Sequence, residues 1–361
     1  MKVLLKPTDF KNDEILLGAN RFGGQSLYGQ ADMYNAALAS IVASAMGVAE
    51  FAPTDLQKVL AGKVLSVNTG LGGFHDYVSA SSSMADLETM LQLLSLKFGP
   101  PRVDADLYQS FVTRMQDAVK NARAQPEAVF GDTVQTTLFN AHPRLQLTPR
   151  PENFSQLSLE RMRSIYLDRF VSAKGMHFVM VGSFSVDAVK PLLARYLASL
   201  PTPDIATDYK DLGIRPVTGV VKKVVRSGSE PKSQVSISFA GDAPYSEEEQ
   251  LRLDALVEVL NIRIIDVLRE KLTLIYGGGM RGGLVRTPYP HYQLSLTLPC
   301  APENVEKVIT AAMAEIQLLQ EAGVDAADGS KVKQNRLANH RKNLRARSFW
   351  PTRLQAAVFH G

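Results

Sequence analysis

Two side chains with complementary hydrogen-bonding chemistry stand seven residues apart in the segment Leu268-Arg269-Glu270-Lys271-Leu272-Thr273-Leu274-Ile275-Tyr276-Gly277. The Arg269 guanidinium can donate to a peptide carbonyl, and the Tyr276 phenol can donate to an oxyanion developing on the same peptide. Together they could hold a peptide without any metal. The glycines that follow, Gly277, Gly278 and Gly279, lack a Cβ and let an extended backbone come close. On chemistry alone a plainer account, a structural salt bridge and a packed tyrosine, is favoured for the pair.

Other reactive patterns are missing. Metal-assisted hydrolysis calls for ligands gathered on one helix face, usually two imidazoles three or four residues apart with a carboxylate base nearby. The six histidines, His75, His142, His177, His291, His340 and His360, include no such pair. No metal site is therefore expected in this chain, and His177 and His291, both at strand starts, are read as satisfied structural residues. There is no Gly-x-Ser-x-Gly elbow, and the single cysteine, Cys300, sits between Pro299 and Ala301 without a reactive signature, so it reads as a small buried hydrophobe. The run from Gly277 to Gly283 ends Gly-Gly-Leu, where a phosphate loop needs Gly-Lys-Ser/Thr, and is read as a turn. The basic residues Lys331, Lys333, Arg336, Arg341, Lys342, Arg345 and Arg347 scatter around a helix axis. They fit a solvated helix resting Leu337 and Leu344 on the sheet better than a polyanion site. Trp350, before Pro351, is expected to anchor the next segment in the core.

The elements that must position these residues follow from periodicity. Ile15 to Ala19 is a strand, and Ala31 to Met46 a helix with Met33, Ala37, Ile41 and Ala45 spaced for burial. Two short strands flank the turn Gly70-Leu71-Gly72-Gly73. Met84 to Phe98 is a helix carrying the stripe Leu87, Leu91 and Leu94, and a long helix runs from Asp104 to about Ala124, before Gln125-Pro126. Pro143, Pro149 and Pro151 mark an irregular excursion. Ser158 caps a helix over Leu159 to Phe170, His177 to Val181 is a strand, and Val186 to Leu200 a helix. Pro201-Thr202-Pro203 and the polar stretch to about Pro216 form a linker. Beyond it the order recurs: strand Gln234 to Ala240, a long helix opened by the capping box Ser246-Glu247-Glu248-Glu249, a glycine-containing strand pair, and a helix from Pro302. The expected fold is α+β, two repeated α/β units at 1–207 and 208–361, each a mostly antiparallel sheet with helices on one face. The first unit ends in a helix, strand and helix with no counterpart before Gly361, so the second is expected to be C-terminally truncated.

Composition bounds the function classes. With 361 residues, 45% hydrophobic and 21% charged, the chain can bury two cores and is not disordered. Forty Lys and Arg against 36 Asp and Glu leave a formal charge of +4, too small for whole-chain attraction to nucleic acid or a membrane surface. No stretch approaches the roughly 18 apolar residues of a membrane span. The opening Met1-Lys2-Val3-Leu4-Leu5-Lys6-Pro7 is too short for a signal peptide and reads as a strand.

Over nearly its whole length the sequence resembles the pitrilysin or insulinase type zinc peptidases, which include the mitochondrial processing peptidase. Leu4-Leu5-Lys6-Pro7-Thr8-Asp9-Phe10-Lys11-Asn12-Asp13-Glu14 looks like the start of the second half of long bacterial members, and Val181-Gly182-Ser183-Phe184 like the family's Val-Gly-Asp-Phe turn. The zinc-binding half of the family carries an inverted His-x-x-Glu-His motif on its first long helix. The helix here has Tyr34, Asn35, Ala36, Ala37 and Leu38 instead, which excludes that half. The other half supplies an Arg and a Tyr, which Arg269 and Tyr276 match, although the usual intervening Gly is replaced by Leu274 or Thr273.

The resemblance implies the C-terminal half of a zinc-dependent metalloendopeptidase, with zinc in the other half and none in this chain. Arg269 would contact a substrate carbonyl and Tyr276 the oxyanion, with Gly277, Gly278 and Gly279 lining the peptide. The implied partners are the zinc-bearing half, fused or separate, and a peptide; nucleic acid is not one. The chain alone is expected to be inactive. The periplasm is the implied compartment, with the cytoplasm as the other option. A scaffold or adaptor subunit that kept the fold and lost catalysis is the alternative.

Overall fold

Strand alternation and helix stripes generate two separate cores in the computed structural model, which describes residues 1–11, 13–346 and 348–360, the side chain of His360 excepted. Asn12 of the opening segment, Arg347 of the basic run and Gly361 lie outside the described residues. One unit comprises Met1–Ala124, Thr148–Leu212 and Asn343–Gly361, the other Gln125–Leu147 and Gly213–Lys342. This differs from a consecutive division at 207/208, because each unit takes in a segment that lies in sequence within the other.

The first unit contains β1 (Lys2–Pro7), β2 (Ile15–Phe22), β3 (Leu65–Leu71), β4 (His75–Ser82) and β5 (His177–Gly182), in the order β1-β5-β2-β4-β3. β1 and β5 are parallel, and the other pairs are antiparallel. Inward residues Ile15, Leu17 and Ala19 meet Val78 and Ala80 of β4 and Phe178 and Met180 of β5. Helices cover that face: α1 (Met33–Ala45), α2 (Pro53–Val59), α3 (Leu87–Lys97), α4 (Ala105–Arg123) and, after α5 (Pro126–Leu138) in the second unit, α6 (Leu159–Phe170) and α7 (Val186–Tyr196). The α3 stripe Leu87, Leu91 and Leu94 is fully buried, each side chain contributing about 1.5–3 kcal/mol. Ser158 caps α6 by accepting from the Arg161 N–H at 3.2 Å. The face expected for α1 is corrected: Ala36, Ala39, Val42 and Met46 are buried while Ile41 is exposed. Alanine on nearly every side of this helix leaves its periodicity ambiguous.

A buried ionic cluster ties β2, β4 and the end of α6. Asp76 Oδ2 accepts from Arg21 Nε and Nη2 at 3.0 and 2.8 Å and from Arg169 Nε and Nη2 at 3.0 and 2.7 Å. Its Oδ1 accepts from the Gly24 N–H at 3.1 Å, and Arg21 Nη1 donates to the carbonyls of Ser172 and Lys174. All three side chains are out of solvent. Burial lowers the pKa of Arg21, and neighbouring Asp76 opposes that shift.

The second unit repeats the β2-β4-β3 arrangement. β6 (Ser233–Asp242), β7 (Gly279–Val285) and β8 (His291–Cys300) form an antiparallel sheet in the order β6-β8-β7, with α8 (Glu247–Ile264), α9 (Val305–Ala322) and α10 (Ala326–Asn343). Ser246 caps α8, accepting from the Glu249 N–H at 3.1 Å. On β8, Leu294, Leu296, Leu298 and Cys300 alternate inward against Val259, Ile264 and Leu268 and against Val308 and Ala312 of α9. Cys300 is a buried hydrophobe, as expected, and burial pushes its thiol pKa up.

Four further expectations are revised. The run Gly277 to Gly283 is mostly strand β7, and the hairpin reverses after Val285. α10 buries Val332, while Leu337 and Leu344 face solvent and Arg336 reaches Glu258 at 2.7 Å. His291 Nδ1 lies 2.8 Å from the Tyr289 carbonyl, but His177 Nδ1 is buried with no partner among the described residues, and desolvation lowers that ring's pKa. Trp350 is half-buried under the Lys6 ammonium, 4.3 Å from the ring centroid. It opens α11 (Phe349–His360), which lies on β2 and β5 with Phe359 4.1 Å from Phe22. Phe22 belongs to the strand face opposite Ile15, Leu17 and Ala19, so α11 adds a layer there.

Candidate functional site

Arg269 and Tyr276 are each held by a buried neighbour in sequence. Leu268 and Ile275 are both in the core of the second unit, so the residues that follow them turn outward. Tyr276 has 69% of its surface exposed, and its hydroxyl has no hydrogen bond among the described residues. The Arg269 side chain is 53% exposed, and it forms an ion pair with the adjacent Glu270 at 3.7 Å. Such exposed pairs contribute about 0–1 kcal/mol, so neither a strong structural salt bridge nor a packed tyrosine describes what is seen.

The backbone between them is irregular in a specific way. α8 continues as a π-helical turn over Ile265–Lys271, with the Leu272 N–H donating to the Val267 carbonyl at 3.0 Å, a five-residue step. Single π turns inside helices recur at functional sites. The Leu274 N–H then donates to the Leu268 carbonyl at 2.8 Å, folding the chain back on the helix end, and the Tyr276 N–H donates to the Pro299 carbonyl at 3.0 Å. A bridge between Ile275 and Cys300 completes the tie to β8. Thr273, between the two ties, has φ +51°. A β-branched residue rarely adopts that left-handed conformation, which costs on the order of 1–3 kcal/mol. Of Thr273 and Leu274, Thr273 is therefore the one in a glycine-like conformation.

The three glycines differ. Gly277 has open space where a Cβ would stand. Gly278, at φ +103°, would place a Cβ 2.1 Å from the Thr297 carbonyl oxygen, and Gly279 would place one 2.5 Å from Asn261 Oδ1. The Asn261 amide of α8 closes a pair with Met280, accepting from its N–H at 2.7 Å and donating to its carbonyl at 3.0 Å. Gly278 and Gly279 are thus explained by packing of β7 on β8 and α8, and Gly277 alone leaves room for a guest backbone. Sequence reading did not single out Asn261; an amide within a helical stripe otherwise apolar is the signal it offers.

Zinc does not fit the described residues. On α1, where an inverted His motif would stand, Tyr34 to Leu38 offer no imidazole or carboxylate, and Asn35 Oδ1 already accepts from the Ser158 N–H at 3.0 Å. Among the described residues no group of three or more His, Cys, Asp or Glu is gathered as a metal ion requires.

Comparison with known proteins bears on the family and the fold. A family profile described as "Peptidase M16 inactive domain" matches residues 156–336, half of the chain. A "Zinc protease PQQL-like" protein of Arabidopsis thaliana is 24% identical over 389 aligned positions, which cover 100% of this chain and 37% of the relative. The "Probable zinc protease PqqL" of Haemophilus influenzae is 20% identical, covering 85% of this chain and 32% of the relative. The crystal structure of the periplasmic protease PqqL from Escherichia coli superposes with a TM-score of 0.84 at 19% identity, over 98% of this chain and 39% of that one. The chain spans about a third of the length of the curated relatives it matches, and the structural likeness shows the α+β fold.

Proposed function

The chain belongs to the peptidase M16 inactive-domain family, and from that premise we propose that it is the non-catalytic half of a zinc-dependent endopeptidase. A zinc-bearing half, on the same or a separate polypeptide, would hold the metal and supply its Lewis-acid chemistry. This chain closes over the bound peptide. The Arg269 guanidinium donates to a main-chain carbonyl and fixes the peptide's register, which limits the lost motion that a reacting pair must otherwise overcome. The Tyr276 hydroxyl donates to the oxyanion as negative charge develops, an interaction stronger in the transition state than in the bound substrate. Gly277 leaves room for the peptide beside them.

One observation carries this reading: both side chains stand in solvent on a backbone tied down at Leu268, Ile275 and Pro299. A residue kept for packing would be buried. The periplasm is the proposed compartment, after the Escherichia coli protease that the chain resembles. Among the described residues no helix is long and apolar enough to cross a membrane.

Complementation tests the proposal. A zinc-bearing half supplied as a separate chain should cleave a quenched-fluorescence peptide at least about tenfold faster with this chain than without it, since oxyanion donors are worth that much or more. Equal cleavage in the two cases would dismiss the partnership.

A further inference from the structure

An asparagine stands inside a helix of the second unit, among residues that face its core. α8 buries Val259, Leu260 and Ile264, and Asn261 is half-buried between them. Asparagine is a poor helix former, because its amide competes for nearby backbone groups. Here the amide reaches across to β7. Its Oδ1 accepts from the Met280 N–H at 2.7 Å, and its Nδ2 donates to the Met280 carbonyl at 3.0 Å. β7 is the last strand in the order β6-β8-β7, so one side chain satisfies both backbone groups of an edge residue, as a residue of a neighbouring strand would.

A second amide fastens the other end of the same contact. Gln250, eleven residues earlier on α8, accepts at Oε1 from the Leu284 N–H at 2.8 Å. Eleven helical residues span about 16 Å and the four strand steps from Met280 to Leu284 about 13 Å, so α8 and β7 lie side by side, antiparallel. The two ends differ in what lies beyond them. Past Asn261 the helix continues into the π turn that carries Arg269, and just before Met280 stands Tyr276-Gly277-Gly278-Gly279. Three successive glycines leave that stretch free to take many conformations. Its near end is tied to β8 through the Tyr276 N–H and the Pro299 carbonyl, and the Asn261 clasp ties its far end to α8.

We propose, on the functional reading of Arg269 and Tyr276, that Asn261 is a positioning residue for the pair. It fixes the strand that follows Tyr276 against the helix that carries Arg269, and so sets the spacing between phenol and guanidinium. The Tyr276 hydroxyl has no hydrogen bond among the described residues and the Arg269 ion pair is exposed, so that spacing is set by the backbone. A misplacement of about 1 Å between groups that act on one peptide costs up to about 100-fold in rate. Asn261 does not contact the peptide and acts through the two residues it places.

Two variants separate this role from simple packing. In the intact chain alone, Asn261→Leu should speed hydrogen exchange at residues 276–280 at least ~10-fold while the β8 amides stay unchanged, and Gln250→Leu should leave 276–280 as in the parent. With a zinc-bearing half added, Asn261→Leu should lower turnover about 10- to 100-fold and Gln250→Leu no more than about twofold. On a Tyr276→Phe background, Asn261→Leu should cost less than about twofold more, because no hydroxyl is left to place. Exchange at 276–280 unmoved by Asn261→Leu overturns the positioning role. So does equal slowing by Gln250→Leu, full turnover in Asn261→Leu beside a slowed Tyr276→Phe, or additive losses in the double variant. Full turnover in Tyr276→Phe overturns the functional reading itself, and the positioning role with it.

Discussion

Replacing Tyr276→Phe in the assembled peptidase should lower turnover roughly 10- to 1000-fold, the cost of removing one oxyanion donor, with KM changed by no more than about twofold. The split between the two constants is the informative part. The phenol has no hydrogen bond among the described residues and is mostly in solvent, so its loss removes no folded-state interaction. Stability should stay within about 0.5 kcal/mol of the parent. Removing a hydroxyl that met the ground-state carbonyl as strongly as the oxyanion would instead raise KM without lowering turnover. Steady-state kinetics on the complemented enzyme distinguish these cases, and an unchanged turnover would favour a scaffold subunit that kept the fold and lost catalysis.

The second large effect is on folding. Asp76→Ala should destabilise the first unit by about 3–5 kcal/mol, because it strands two guanidinium groups away from water without their shared carboxylate. Arg21 and Arg169 would then carry two like charges in a low-dielectric interior. The backbone carbonyls that accept from Arg21 cannot neutralise them. Urea titration should show a lower midpoint for the first unit and an unshifted one for the second, whose core is separate. A loss below about 1 kcal/mol would show that the cluster is not what holds β2, β4 and α6 together.

Local signals in the sequence were reliable where they met no competition. The stripe Leu87, Leu91 and Leu94 and the caps at Ser158 and Ser246 all appear where spacing and side-chain chemistry place them. α5 escaped notice because Pro126 reads as a helix stop, whereas it occupies the first turn of the following helix, where its missing N–H costs nothing. β7 was hidden by its glycines, which mark close approach to β8 and α8 and not a reversal of the chain. The Arg21–Asp76–Arg169 cluster joins residues 55 and 93 positions apart. Its one local trace is a charged residue continuing the inward series Ile15, Leu17, Ala19 on β2. The seven-residue spacing of Arg269 and Tyr276 is a sequence signal, but the π-helical turn and the left-handed Thr273 between them depend on tertiary ties to Leu268 and Pro299 that no window of sequence contains.

Zinc content of the purified, tag-free chain, measured by elemental mass spectrometry after dialysis, tests the central claim most directly. A non-catalytic half should hold less than about 0.1 zinc per chain, since no ligand set of the kind zinc requires is gathered among the described residues. Close to one zinc per chain, retained through dialysis, would contradict the account and make this chain a metallopeptidase candidate in its own right.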